Sequence, residues 1–109
     1  MLKFLKTDQD FAQFRSSRLI NGKFIKIRVR YGLNQNYPRF GFIVPKKVIP
    51  RVVDRNLLKR RIKSSLITFS RDLKAADVIF YPQKELIKKD YQFLQQAIKD
   101  LFTKAKLWK

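Results

Sequence analysis

Apolar and polar positions change rhythm several times along this 109-residue chain, and each change marks an element. Over residues 23–31 the alternation is strict, with Ile25, Ile27, Val29 and Tyr31 on one side and Lys26, Arg28 and Arg30 on the other. A period of two with β-branched residues predicts a half-buried strand. Residues 39–44 repeat the pattern, setting Phe40, Phe42 and Val44 opposite Gly41 and Ile43. A glycine inside a strand points to a bulge or a close approach. The polar segment 32–38 between the two runs reads as a hairpin connection, and Asn21-Gly22 reads as a turn. Pro45 ends the second strand because it donates no ladder hydrogen bond.

From Pro50 onward the spacing becomes helical. Leu58, Ile62, Leu66 and Phe69 form a narrow apolar stripe, and Pro50 suits a first turn. Residues 77–81, Asp-Val-Ile-Phe-Tyr, predict a short buried strand that Pro82 stops. Asp90 then caps a final helix running along Tyr91, Leu94, Ile98, Leu101 and Ala105, widened by Phe93, Ala97 and Phe102. Near the N-terminus, Thr7 or Asp8 caps a short helix that shows Phe11 and Phe14 on one face and ends near Ser16 or Ser17. The order helix, strand, strand, helix, strand, helix predicts one α–β sandwich over residues 1–109.

Charge changes this picture from a plain small domain to a partner-seeking one. Lys and Arg number 26 against 8 acids, a formal net charge of +18, while the apolar fraction of 45% is that of a globular protein. The excess is densest between Lys46 and Lys63, where Lys46, Lys47, Arg51, Arg55, Lys59, Arg60, Arg61 and Lys63 meet a single acid, Asp54. Such a surface repels itself unless a polyanion neutralises it, and nucleic acid is the first candidate. The cations are spread over strands and helices, which disfavours a membrane-surface helix.

Catalysis by the chain itself finds no support. There is no cysteine and no histidine, so thiolate chemistry and the commonest general base are excluded. The acids are scattered, and no Gly-rich phosphate loop is present. The first residues lack a long apolar core, and no run is long enough to span a bilayer, so a cytoplasmic location is expected.

Residues 41–63, with a strand, Lys46-Lys47, and then Arg55-Asn56 followed by Lys59-Arg60, resemble the protein subunit of bacterial ribonuclease P. Supporting order extends over roughly residues 8–108, from Asp10-Phe11 through DVIFYPQKEL to a C-terminal helix. The resemblance implies an α+β fold in αβββαβα order, with about four strands and three helices, like the second domain of ribosomal protein S5. It also implies a short strand near Arg18 to Ile20 and a left-handed crossover between two parallel strands. Functionally, it implies that the chain binds ribonuclease P RNA and precursor tRNA, that the RNA with its magnesium cuts the 5′ leader, and that the chain binds no cofactor. No protein partner is implied.

Mapped onto this sequence, the resemblance implies contact with the catalytic RNA at Lys46, Lys47, Arg51, Arg55, Asn56, Lys59, Arg60, Arg61 and Lys63. It implies a leader-binding cleft formed by Phe11, Phe14, Phe24, Lys26, Arg28 and Arg30. The chain departs from the family pattern at Leu57, where a third basic residue is usual, and at Arg61, usually apolar. Ile49-Pro50 replaces a usual glycine, and Phe11 and Phe14 stand three apart instead of four. A non-enzymatic RNA-binding module such as a small ribosomal protein would share the size, charge and plan. The ordered set Lys-Lys, Arg-Asn, Lys-Arg between two strands separates the two readings.

Overall fold

The computed structural model describes residues 3–5, 17–31 and 36–109. Among these, five strands build one mixed sheet: β1 (Lys3–Phe4), β2 (Arg18–Asn21), β3 (Ile25–Arg30), β4 (Arg39–Phe42) and β5 (Asp77–Pro82). They lie in the order β1-β4-β5-β3-β2. Two helices, α1 (Val52–Phe69) and α2 (Tyr91–Lys104), complete the α+β fold. Of the helix expected from Thr7 or Asp8 to near Ser16 or Ser17, residues 7–16, with Phe11 and Phe14, lie outside the described residues.

The expected strand count of about four is corrected to five by β1, which pairs parallel to β4 through Lys3 with Arg39 and Phe4 with Phe40. A two-residue edge strand is too short to show a period, so alternation does not reveal it. The expected hairpin between the two alternating runs is also corrected. Strand β5 lies between β3 and β4, antiparallel to the first and parallel to the second. Nor does Gly41 make a bulge, because Arg39 to Phe42 pair with Asp77 to Phe80 in unbroken register.

Both helices lie on the sheet face formed by Ile25, Ile27, Val29, Phe40, Val78 and Phe80, all essentially inaccessible to water. Leu58, Ile62 and Leu66 of the predicted stripe are buried there, as are Leu94, Ile98, Leu101 and Phe102 of α2. Asp90 caps α2 by accepting a 2.8 Å bond from the Phe93 amide. Where α2 meets α1, Tyr91 hydrogen-bonds Ser64 (2.9 Å) and Ser65 (3.4 Å). Burial acts to raise the Tyr91 hydroxyl, but its bonds with Ser64, Ser65 and Gln95 outweigh this and hold it below the ordinary tyrosine value. Trp108 closes the far end, edge-on to Phe69 and Phe102.

Gly22 explains why the Asn21-Gly22 signal and the turn do not coincide. A Cβ on Gly22 would sit 2.7 Å from Leu101 Cδ2 and 2.9 Å from the Ile25 carbonyl, so the glycine is there for close approach of α2. The two central turn residues are instead Lys23 and Phe24, bracketed by a 2.9 Å bond from the Gly22 amide to the Ile25 carbonyl.

Candidate nucleic-acid interface

The strand alternation that buries Ile25, Ile27 and Val29 sends Lys26, Arg28 and Arg30 to the sheet face away from α1 and α2. Register then decides what each cation meets. Lys26 stands opposite Tyr81, Arg28 opposite Ile79, and Arg30 opposite Asp77. Asp77 is wholly buried and receives Arg30 Nη2 at 2.9 Å together with Arg39 Nε at 2.8 Å and Nη2 at 2.7 Å. Arg30 is therefore a structural ion-pair partner as well as a surface cation. Arg28 reaches Ser17 Oγ at 3.4 Å.

Beside these side chains lies a cleft of about 300 Å³ walled by Lys26, Arg28, Leu19, Ile43, Val48 and Tyr81. It combines cations on β3 with an apolar and aromatic floor, the composition that single-stranded nucleic acid favours. Tyr81 and Ile43 were absent from the sequence-derived set. The signal that finds them is parity: Tyr81 is two residues from Ile79 along β5, and both point away from the helices.

The basic segment divides into parts with different tasks. The Pro45 carbonyl accepts the amides of Val48 and Ile49 at 3.0 Å each, closing a turn that leaves Lys46 and Lys47 exposed. Ile49 is buried and anchors it. Arg55 faces back on this turn, donating from Nη1 to the Ile49 and Pro50 carbonyls at 2.9 Å each. Arg61 likewise donates to the Lys89 carbonyl at 3.1 Å. Asn56, Lys59, Arg60 and Lys63 instead share one face of α1 with Val53 and line a shallow groove. The Lys63 ammonium also lies 4.9 Å from the Phe4 ring, a cation–π contact that fixes its stem. Arg51, at the helix N-cap, is exposed and approaches Asp54 at 3.8 Å.

Phe24 lies apart from Lys26 and Arg28. Its ring stacks on Phe93 at 6.0 Å and borders a different cavity, beside Arg51 and Lys84. Phe11 and Phe14 lie outside the described residues.

The chain matches the family model for ribonuclease P over residues 2–106. It belongs to the ribonuclease P protein family. It is 31% identical over 105 residues to the ribonuclease P protein component of Streptococcus pyogenes serotype M49, covering 94% of this chain and 86% of that protein. The component of Pseudanabaena sp. is 27% identical, with 94% and 90% covered. In fold, the chain superposes on the Staphylococcus aureus RNase P protein with a TM-score of 0.88 at 18% identity, covering all of both chains. The Thermotoga maritima RNase P protein gives 0.82 at 20% identity, covering 94% of this chain and 96% of that one.

Within this family pattern the departures have local physical readings. Ile49, in place of the usual glycine, is a buried anchor for the lysine turn. Leu57 is half-buried beside the wholly buried Leu58, so a cation there would lose part of its hydration. Arg61 is long enough to leave the α1 face and bond across to Lys89.

Proposed function

We propose that this chain docks on the RNA subunit of ribonuclease P through the exposed face of α1 and the lysine turn before it. On this reading the sheet-face cleft holds the 5′ leader of precursor tRNA. The observation that carries the proposal is the segregation along α1. Arg55 and Arg61 are spent on backbone carbonyls, while Asn56, Lys59, Arg60 and Lys63 are left together on one accessible face.

The chemistry of leader removal is assigned to the RNA, with magnesium supplied at the RNA. The protein's contribution is electrostatic and positional. Lys59, Arg60 and Lys63 neutralise phosphates that would otherwise repel substrate, and Asn56 adds a directional hydrogen-bonding group without charge. On the sheet face, Lys26 and Arg28 hold the leader backbone while Tyr81 offers a ring to an unstacked base. Holding the leader converts part of substrate binding into an already-oriented encounter, raising affinity for precursor over mature tRNA. The setting proposed is the cytoplasm.

Reconstitution tests this directly. The purified chain alone should leave precursor tRNA uncut. Added to a bacterial ribonuclease P RNA at low magnesium, it should restore 5′ maturation. Absence of stimulation with a cognate RNA would remove the proposal and leave a non-enzymatic RNA-binding module.

A further inference from the structure

Strand β1 is only two residues long, yet it is fastened from both faces of the sheet. Phe4 stands opposite Phe40, whose side chain lies on the helix face, so the pairing sends the Phe4 ring toward α1. Leu5, at the other parity, donates its amide to the Phe40 carbonyl at 2.7 Å and is buried with Ile79 on the opposite face. The Phe4 ring stacks on Phe42 at 6.1 Å, and Phe42 stacks in turn on Phe80 at 5.8 Å. This edge of the sheet therefore carries a row of three rings, rooted in the core at the wholly buried Phe80.

The outer end of that row meets a cation of the α1 groove. The Lys63 ammonium lies 4.9 Å from the centre of the Phe4 ring and 5.9 Å from that of Phe42. Among the described residues, Lys63 is the groove cation that lies over aromatic rings, whereas Lys59 and Arg60 line the same groove without them. Lys63 nonetheless remains exposed, so the rings take one side of its ammonium and solvent the other. Covering Phe42 requires only an apolar side chain at position 4, which leucine would satisfy. A phenyl ring does more, because its negative face attracts an ammonium and leucine has no such face.

We propose that Phe4 is a positioning residue for RNA binding, holding Lys63 where its ammonium meets a phosphate and so making β1 part of the α1 docking surface. The inference rests on the reading that α1 docks on the RNA subunit. A lysine that is free in solution loses rotamer freedom when a phosphate fixes it. Over the two rings, much of that loss has already occurred in the unbound protein. A ring face uses no acceptor lone pair, and the three donors of the ammonium leave some for a phosphate on the open side.

The test measures the affinity of the full chain for ribonuclease P RNA, and its salt dependence, in a double-mutant cycle of Phe4→Leu and Lys63→Gln. Phe4→Leu should weaken binding about two- to fivefold, the range of an exposed cation–π contact, with the salt slope unchanged because the charge remains. Lys63→Gln should weaken binding and lower the slope by about one. In the Lys63→Gln background, Phe4→Leu should have no further effect. Phe4→pentafluorophenylalanine keeps the shape of the ring and removes its negative face. It should reproduce the loss in protein that melts like wild type, which covers the case in which leucine loosens β1. Wild-type affinity in the fluorinated variant, tighter binding, or an equal loss in the Lys63→Gln background overturns the positioning role and leaves α1 docking standing. Unchanged affinity and slope in Lys63→Gln removes the docking reading at this residue and the proposal with it.

Discussion

Asp77 shows how much a single residue's setting can redirect the meaning of its neighbours. It has no exposed surface and is held by Arg30 and Arg39, whose side chains keep 20% and 28% of theirs. Removing the carboxylate in Asp77→Ala leaves two guanidinium groups facing each other across β5. Because both can turn toward water, the expected loss is about 2–3 kcal/mol, below the roughly 3–5 kcal/mol for breaking a fully buried pair. Denaturant unfolding should show a lower midpoint with an unchanged slope. An unchanged midpoint would mean that the arginines do not depend on Asp77. Alternation alone put Lys26, Arg28 and Arg30 on one footing, since each is a cation at the same parity. The distinction between them depends on which residue of β5 lies opposite, and that partner is 47 positions away for Arg30.

At the level of elements, α1 was the most legible part of the chain. Its apolar stripe, its approximate start and its basic character followed from spacing and composition. What spacing could not show is which cations turn inward. Arg55 bends back because the turn before the helix presents the Ile49 and Pro50 carbonyls within reach, a consequence of local geometry. Arg55→Ala should therefore cost about 1–2 kcal/mol of stability and loosen the turn that carries Lys46 and Lys47. Arg60→Ala, on the exposed face, should change stability by less than about 0.5 kcal/mol while weakening RNA binding. Thermal melts paired with RNA titrations separate the two. Comparable stability losses from both variants would contradict the division of the helix into inward and outward cations. Phe24 is the opposite case, an element-level surprise. The sequence marked the turn two residues early because the glycine serves packing against Leu101, and the left-handed position falls on a phenylalanine instead.

For the whole molecule, sandwich class was legible and sheet order was not. Periodicity identifies strands but carries no information on which strand inserts between which others, so the placement of β5 between β3 and β4 had no local signature. Net charge, by contrast, needs no fold to be read, and the fold sharpens its consequence. Of the acids, Asp77 is enclosed by arginines, Asp90 caps α2, Asp54 approaches Arg51, and Asp100 accepts a bond from Gln96. Among the described residues no carboxylate lines the groove of Lys59, Arg60 and Lys63, and a phosphate backbone that neutralises those cations releases counterions in proportion. Binding to ribonuclease P RNA should weaken linearly in log–log form as salt rises, and neutralising Lys59, Arg60 and Lys63 together should reduce that slope by about 2–3. Arg61→Gln should change it far less, because the bond to the Lys89 carbonyl turns that guanidinium away from the groove that Lys59, Arg60 and Lys63 line. Equal slope changes from Arg61→Gln and Lys63→Gln would mean that RNA meets α1 around more of its circumference than the exposed groove.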